Sequence, residues 1–348
     1  MQLPDATFPA MSNKTLPYCY LPISKSGLSR RNFLLISAGV ITATALAGLS
    51  GCRPNKPLKI ASQAWPGYAF LYLAHEQGFI SNEKIEIMQT ANLGESSSAL
   101  AKGQVDGAAL TLEEGLHILD QGISLQVVLV LDASAGADAV MVKPGIQHLA
   151  QLKGKQIGVE PSTLSDIMYA KILEVSGLNS DDIKRVRMNF DHVKAWEIGN
   201  LDAIITYDPN ITLFEQKGLL RIFDSRSMPG RIVDVLAIRT DVADRYSTTL
   251  TELVAGHFTA LNLWQKNQID TTFLLAKILS IKPDEVKEVF KGLDLPDASF
   301  NRHYLSAPAE EMKKSVGEIA QIMIRDKLIK QHPAIDNLFT ADFLPGDL

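Results

Sequence analysis

From Leu58 onward the chain alternates short apolar strands with amphipathic helices, and this alternation limits the fold more than any other feature. Leu58-Lys59-Ile60-Ala61-Ser62 reads as a strand. Trp65-Pro66-Gly67-Tyr68 breaks it, and helical spacing then runs over 69–77 and stops at Gly78. Residues 84–88 alternate as a second strand, 96–102 are helical with Gly103 behind them, and 105–110 form a third strand. A helix is predicted over 111–120. Residues 125–131 are a continuous apolar run of the kind buried on both faces of a sheet.

A second unit of the same kind begins near Pro144, with strands predicted at 155–159, 186–190 and 201–206 and helices at 164–175 and 192–198. After apolar runs at 219–224 and 233–238 the pattern turns purely helical, roughly over 248–328. A tail without strands has to cover a sheet that already exists. The chain is therefore expected to leave a first lobe near 139–142, build a second, and return near 234–238. The predicted class is α/β, with two lobes that are each a mostly parallel sheet flanked by helices. Lobe 1 is placed at 58–140 with 236–348 and lobe 2 at 141–235, joined by a two-segment hinge, with the helical tail on lobe 1.

The first 51 residues read as an export signal and not as part of the fold. Ser29-Arg30-Arg31-Asn32-Phe33-Leu34-Leu35 resembles a twin-arginine signal, although Leu35 stands where Lys is usual, which leaves the general secretory route open. An apolar run over 33–49 follows, and Leu49-Ser50-Gly51-Cys52 resembles the bacterial lipobox. On that reading Cys52 is lipidated and becomes the first residue of the mature chain, and 52–57 is a tether. A membrane-spanning helix competes, because about 20 apolar residues cross a bilayer. The glycines and threonines in the run, and the cysteine that closes it, favour the lipoprotein. The chain has 2 cysteines, and Cys19 would leave with the signal, so no thiol remains for a disulfide, a metal or a nucleophile. The formal charge is −5, and losing Lys14, Lys25, Arg30, Arg31 and Asp5 makes it more negative, which argues against a nucleic-acid partner.

Four stretches carry a family resemblance. They are Ala64-Trp65-Pro66-Gly67-Tyr68, Leu100-Ala101-Lys102-Gly103-Gln104-Val105-Asp106, Leu152-Lys153-Gly154-Lys155-Gln156-Ile157-Gly158-Val159-Glu160 and Ile205-Thr206-Tyr207-Asp208-Pro209-Asn210. In their order and spacing the chain resembles the substrate-binding proteins of the nitrate, sulfonate and taurine group of ABC importers, over about 58–295. The resemblance implies a type 2 periplasmic binding protein fold and a lipid-anchored location on the periplasmic or cell-surface face of a bacterial membrane. It also implies a monomer without cofactor that hands a small-molecule ligand to an ABC permease and its ATPase subunit.

In open parallel sheets ligands bind beyond the carboxyl ends of the strands. That rule points to the loops at 65–68, 92–97, 111–114, 132–138 and 160–165, with 207–210 facing them. The candidate ligand-binding residues are Trp65, Tyr68, Asn92, Glu95, Ser96, Thr111, Glu113, Asp132, Asp138, Glu160, Ser162, Thr163, Tyr207, Asp208 and Asn210. Trp65, Tyr68 and Tyr207 would be apolar walls or else core, while Trp196 and Trp264 fall within helical periodicity and read as core. Ser96, Ser97, Ser162 and Thr163 either cap helices or offer an anion their amides.

Acidic residues crowd these loops and Lys and Arg are nearly absent. Unpaired carboxylates facing nitrate or sulfonate would cost several kcal/mol, on the order usual for buried unpaired charge. The expected solute therefore bears nitrogen, as in a pyrimidine-like ring, an amine or an aminosulfonate. Asp132, Asp138 and Glu160 are its expected acceptors, unless they bond loop amides or pair with Lys143 or Arg231. A plain anion binder and a lipid-tethered sensor without transport remain as alternatives. An enzyme is not expected. The 7 histidines show no metal-ligand spacing and read as surface or capping residues. No nucleophile elbow, phosphate loop or dinucleotide fingerprint is present. The related eukaryotic pyrimidine synthase depends on a cysteine-rich motif that this chain lacks.

Overall fold

The computed structural model describes residues 56–188, 191–306 and 310–346. The expected export signal, lipobox and lipidated Cys52 lie outside the described residues. The first sheet begins with β1 (Leu58–Gln63), followed by a helical turn at Pro66–Tyr68 and α1 (Ala69–Glu76). It continues through β2 (Ile85–Thr90), α2 (Leu93–Ala101), β3 (Gly107–Thr111), α3 (Leu112–Asp120) and β4 (Leu125–Ser134). The chain then enters a second sheet as β5 (Asp138–Val142). There it forms β6 (Gln156–Val159), α4 (Thr163–Ser176), β7 (Lys184–Arg187), α5 (His192–Ile198), β8 (Ala203–Tyr207), α6 (Asn210–Gln216) and β9 (Leu220–Asp224). It returns as β10 (Val233–Arg239). The tail adds α7 (Thr240–Ala243), α8 (Ser247–Lys266), α9 (Gln268–Leu279), α10 (Pro283–Phe290), β11 (Leu293–Asp294), α11 (Ala298–Leu305) and α12 (Glu310–Arg325).

The first sheet has the order β11-β4-β10-β3-β1-β2 and the second β7-β6-β8-β5-β9. Strands joined through helices pair in parallel: β1 with β2 and β3, and β6 with β7 and β8. The two strands that arrive from the other sheet run the opposite way. β10 is antiparallel to β3 and β4, and β5 to β8 and β9. The reason is directional. Helix-connected strands end at the gap between the sheets, whereas a strand arriving across that gap must start there.

The tail departs from its sequence reading in one respect. β11 pairs with Ser134 and Ala133 of β4, and Phe339 bridges Val127, so the tail also caps the edge of the sheet. An open edge leaves backbone groups unpaired, and a two-residue strand is too short to leave a hydrophobic signature. Elsewhere the tail packs apolar faces onto the first sheet, with Leu250, Val254, Phe258, Leu261, Leu275 and Val286 fully or nearly fully buried. Helix α2 starts earlier than expected because Asn92 caps it, accepting the Glu95 amide at 2.9 Å. Trp264 is in the core, whereas Trp196 is only half-buried, with its ring 5.8 Å from that of Phe214.

Two histidines are not at the surface. His257 on α8 is fully buried, its ring edge-on to Phe70 at 6.0 Å, and neither ring nitrogen has a partner. Burial drives its pKa down to about 3. A neutral imidazole can fill a core position as an aromatic does, and helical spacing alone does not reveal this. His192 is buried for a different reason, taken up below.

Candidate functional site

The strand ends of both sheets meet in one buried cleft. Trp65 holds an extended conformation ahead of the Pro66–Tyr68 turn, at the end of β1 in the first sheet. Its indole Nε1 donates to Asp132 Oδ2 at 3.0 Å, and the Tyr68 hydroxyl donates to Asp234 Oδ1 in a short hydrogen bond. Asp132 and Asp234 face each other in register across β4 and β10. From the second sheet, Glu160 Oε2 receives His192 Nε2 at 2.8 Å and the Tyr207 hydroxyl at 3.1 Å, and His192 Nδ1 lies 2.8 Å from Thr206 Oγ1. The ring of Trp65 lies 5.9 Å from that of Tyr207 and 6.4 Å from that of Tyr68, both edge-on. This aromatic corner spans the gap.

Gly67 is required by this arrangement. A Cβ there would sit 1.7 Å from Asp132 Oδ2 and 2.9 Å from Trp65 Nε1. Any side chain would displace the carboxylate, the indole, or both.

The electrostatics of the cleft are unusual in sign. Burial raises the pKa of Asp138 to about 7, aided by the charges of Asp234 and Asp208 and opposed by a bond from Ser134. Burial likewise raises Asp234 to about 6, opposed by its bonds from Tyr68 and Asp132, and pushes Asp132 well above the usual carboxylate range, where Asp234 adds to the effect. Two carboxylates this close cannot both ionise, so they share a proton. The contact raises the Asp132 pKa and lowers that of Asp234, and Asp132 Oδ1 has no hydrogen-bond partner. Two acceptors from the second sheet are open as well, Asp138 Oδ2 and Glu160 Oε1.

The cavity they line is about 20 Å³, room for about one water molecule. Its walls include Gln63, Trp65, Tyr68, Thr111, Asp138, Glu160, Ser162, Ser165, Thr206, Tyr207 and Asp234, with no Lys or Arg. Among the described residues no group of three or more His, Cys, Asp or Glu could hold a metal ion.

The other candidates fall outside this constellation or cap helices. Asn92 and Glu95 belong to the start of α2, where Glu95 accepts the Ala91 amide at 2.7 Å. Ser96 is buried against Thr90 Oγ1 at 2.6 Å. Thr111 caps α3 and Ser162 caps α4, yet both also line the cavity. Glu113 is fully buried with both carboxylate oxygens unpartnered, and it lines a separate cavity of about 510 Å³ with Ile167, Met228 and Arg231. Asp208 accepts from the amide and hydroxyl of Thr212 at 3.2 and 3.0 Å, and half-buried Asn210 opens α6. Thr163 gives its amide to Glu114. Neither suggested cation reaches the acids. Lys143 pairs with Asp202 and Arg231 with Glu318.

Sequence reasoning missed Asp234, Gln63, Ser165, Thr206 and His192. Asp234 left a usable signal, a lone acid inside the apolar run Val233 to Ile238. The carboxyl-end rule does not reach it, because Asp234 lies near the start of β10, which enters the sheet from the cleft.

A family profile described as NMT1/THI5 like matches residues 65–254, which takes in the aromatic corner, both crossings between the sheets and every acid of the cleft. The chain belongs to the NMT1/THI5-like family. Among known relatives, a protein of Haemophilus influenzae named for thiamine biosynthesis is 26% identical over 143 residues, 40% of this chain and 46% of that protein. The match thus spans under half of that relative. A protein of Brucella abortus named as a binding protein is 24% identical over 270 residues, 71% of this chain and 79% of its own. Among solved structures, the alkanesulfonate-binding protein SsuA of Xanthomonas axonopodis pv. citri, bound to MOPS, superposes with a TM-score of 0.65. It shares 17% identity and covers 82% of this chain and 98% of that one. This NMT1/THI5-like chain therefore has the two-lobed fold of type 2 periplasmic binding proteins.

Proposed function

We propose that this chain is the extracytoplasmic solute-binding component of an ABC importer, closing its two lobes around a small nitrogen-bearing solute and delivering it to a membrane permease. The observation that carries the reading is the pair of open acceptors, Asp138 Oδ2 and Glu160 Oε1, buried beside Trp65, Tyr68 and Tyr207 in a cleft without a cationic side chain. A solute that presents N–H groups supplies what these oxygens lack, and aromatic walls suit its ring or aliphatic body once the lobes part to make more room than the one water molecule the cavity now holds. A pyrimidine-like ring, an amine or an aminosulfonate has this chemistry. Nitrate and simple sulfonates bring only acceptors. Family membership and the similarity to a sulfonate-binding fold support the transport role. The chemistry of the cleft supports the choice of solute.

Titration calorimetry with amines, pyrimidines, aminosulfonates, a plain alkanesulfonate and nitrate tests this. Binding of one nitrogen-bearing solute per chain, recovered chemically unchanged, is the expected result. Micromolar binding of nitrate or a plain sulfonate with no response to the nitrogen compounds would reverse the solute assignment.

Lipidation at Cys52 is the second part of the proposal, with two or three acyl chains giving firm anchoring at about 0.8 kcal/mol per buried methylene. Substitution of Cys52→Ala is expected to abolish labelling by a radioactive fatty acid and to release the protein from the membrane fraction or leave it uncleaved. An unlabelled, freely soluble wild-type protein would exclude the anchor.

A further inference from the structure

We propose that Glu114 is the positioning residue that clasps the two lobes shut, by holding the N-terminal amide of α4 across the cleft. The inference rests on the reading that lobe closure traps the solute, but it concerns the lobes themselves. Glu114 lies in the first turn of α3, in the lobe of the first sheet, and is 3% exposed. Its Oε1 accepts the backbone N–H of Thr163 at 2.7 Å. Thr163 is the first residue of α4, which belongs to the second sheet. Burial raises the Glu114 pKa, and the bonds from the Thr163 amide and from the hydroxyls of Ser97 and Thr163 oppose that rise.

Three physical features make this contact a clasp. First, it joins a carboxylate to an unpaired helix N-terminal amide, a charge-assisted bond that the helix dipole strengthens. Second, the lobes also touch beside it, backbone to backbone. Gly94 on α2 lies so near the second lobe that a Cβ would come within 2.9 Å of the Pro161 carbonyl oxygen. Third, neither partner depends on the other within its own lobe. Thr111 caps α3 and Ser162 caps α4, so both helices keep their caps when the lobes part. Glu114 and the Thr163 amide then become accessible to water, and only the equilibrium between open and closed forms changes. A hydrogen bond to a charged group shifts such an equilibrium by about tenfold to a hundredfold.

The test needs no solute. Amide hydrogen exchange at Thr163 and small-angle scattering are measured on the full chain, wild type against three variants. Glu114→Leu is expected to speed exchange at Thr163 at least about tenfold and to raise the radius of gyration, while amides in β1 and β6 keep wild-type protection. Glu114→Gln keeps an acceptor oxygen and is expected to restore most of the protection. Gly94→Ala, which leaves Glu114 in place, is expected to open the lobes by wedging against Pro161. Unchanged exchange at Thr163 in Glu114→Leu overturns the proposal. So does a loss of protection that spreads equally to β1 and β6, because Glu114 would then be holding the fold together. If the clasp behaves as stated and no nitrogen-bearing compound binds, it is the solute assignment that falls.

Discussion

Affinity for a nitrogen-bearing solute is expected to drop about a hundredfold between pH 8 and pH 5, because the acceptor Asp138 is protonated over that range. Its pKa in the folded protein lies at about 7. A ligand that needs the ionised form loses about a factor of ten for each pH unit below that value. Asp138→Asn is expected to weaken binding about tenfold to a hundredfold at pH 8, the cost of losing a hydrogen bond to a charged group, and to flatten the pH profile. Glu160→Gln should weaken binding by a similar factor and leave in place the pH dependence that Asp138 carries. Calorimetry of the three proteins at four pH values decides the matter. A wild-type profile that is flat, or that improves in acid, would mean that Asp138 faces away from the solute.

The same carboxyl groups set a stability profile of opposite sense. Asp138, at about 7, and Asp234 and Asp208, each at about 6, have folded pKa values above their unfolded values near 3.8. Each contributes stability that is present in acid and lost as the pH rises through its folded pKa. For Asp138 the loss between pH 5 and pH 7 is about 3 kcal/mol, at roughly 1.4 kcal/mol per unit. His257 acts against this. Its pKa is depressed to about 3, so it removes stability as the pH falls below about 6.5. Because the acids outnumber it, the solute-free protein is expected to melt several degrees higher at pH 5 than at pH 8. Asp138→Asn is expected to recover much of the difference at pH 8 while it loses affinity. A melting temperature that falls steadily from pH 8 to pH 5 would show that these carboxyl groups are ionised in the native state. Such sites trade stability for function. The cleft holds its acids in costly burial, a cost that the proposed N–H-bearing solute would relieve.

Some of this chemistry was legible in the residue order because it depends on neighbours in sequence. Strand and helix periodicity between Leu58 and Ile238 identified nearly all of the strands, and the helical spacing beyond Thr248 identified the covering tail. Trp65-Pro66-Gly67-Tyr68 announced a turn carrying two aromatic rings. Acids that end apolar runs, such as Asp132 and Glu160, stood out because a charge there has few routes to water. The tertiary structure decided which acids meet. Asp234 pairs with Asp132 only because β10 inserts antiparallel beside β4, in a register that sets the two carboxyl groups side by side. Glu113 and Glu114 are adjacent in sequence, yet one faces a separate cavity and the other grips α4, because successive side chains on a helix point about 100° apart. Glu95 carries the same charge and only caps a turn. Local pattern records which residues are unusual. Strand direction and pairing between distant segments determine which of them share a cleft, and neither is written in any local stretch of the chain.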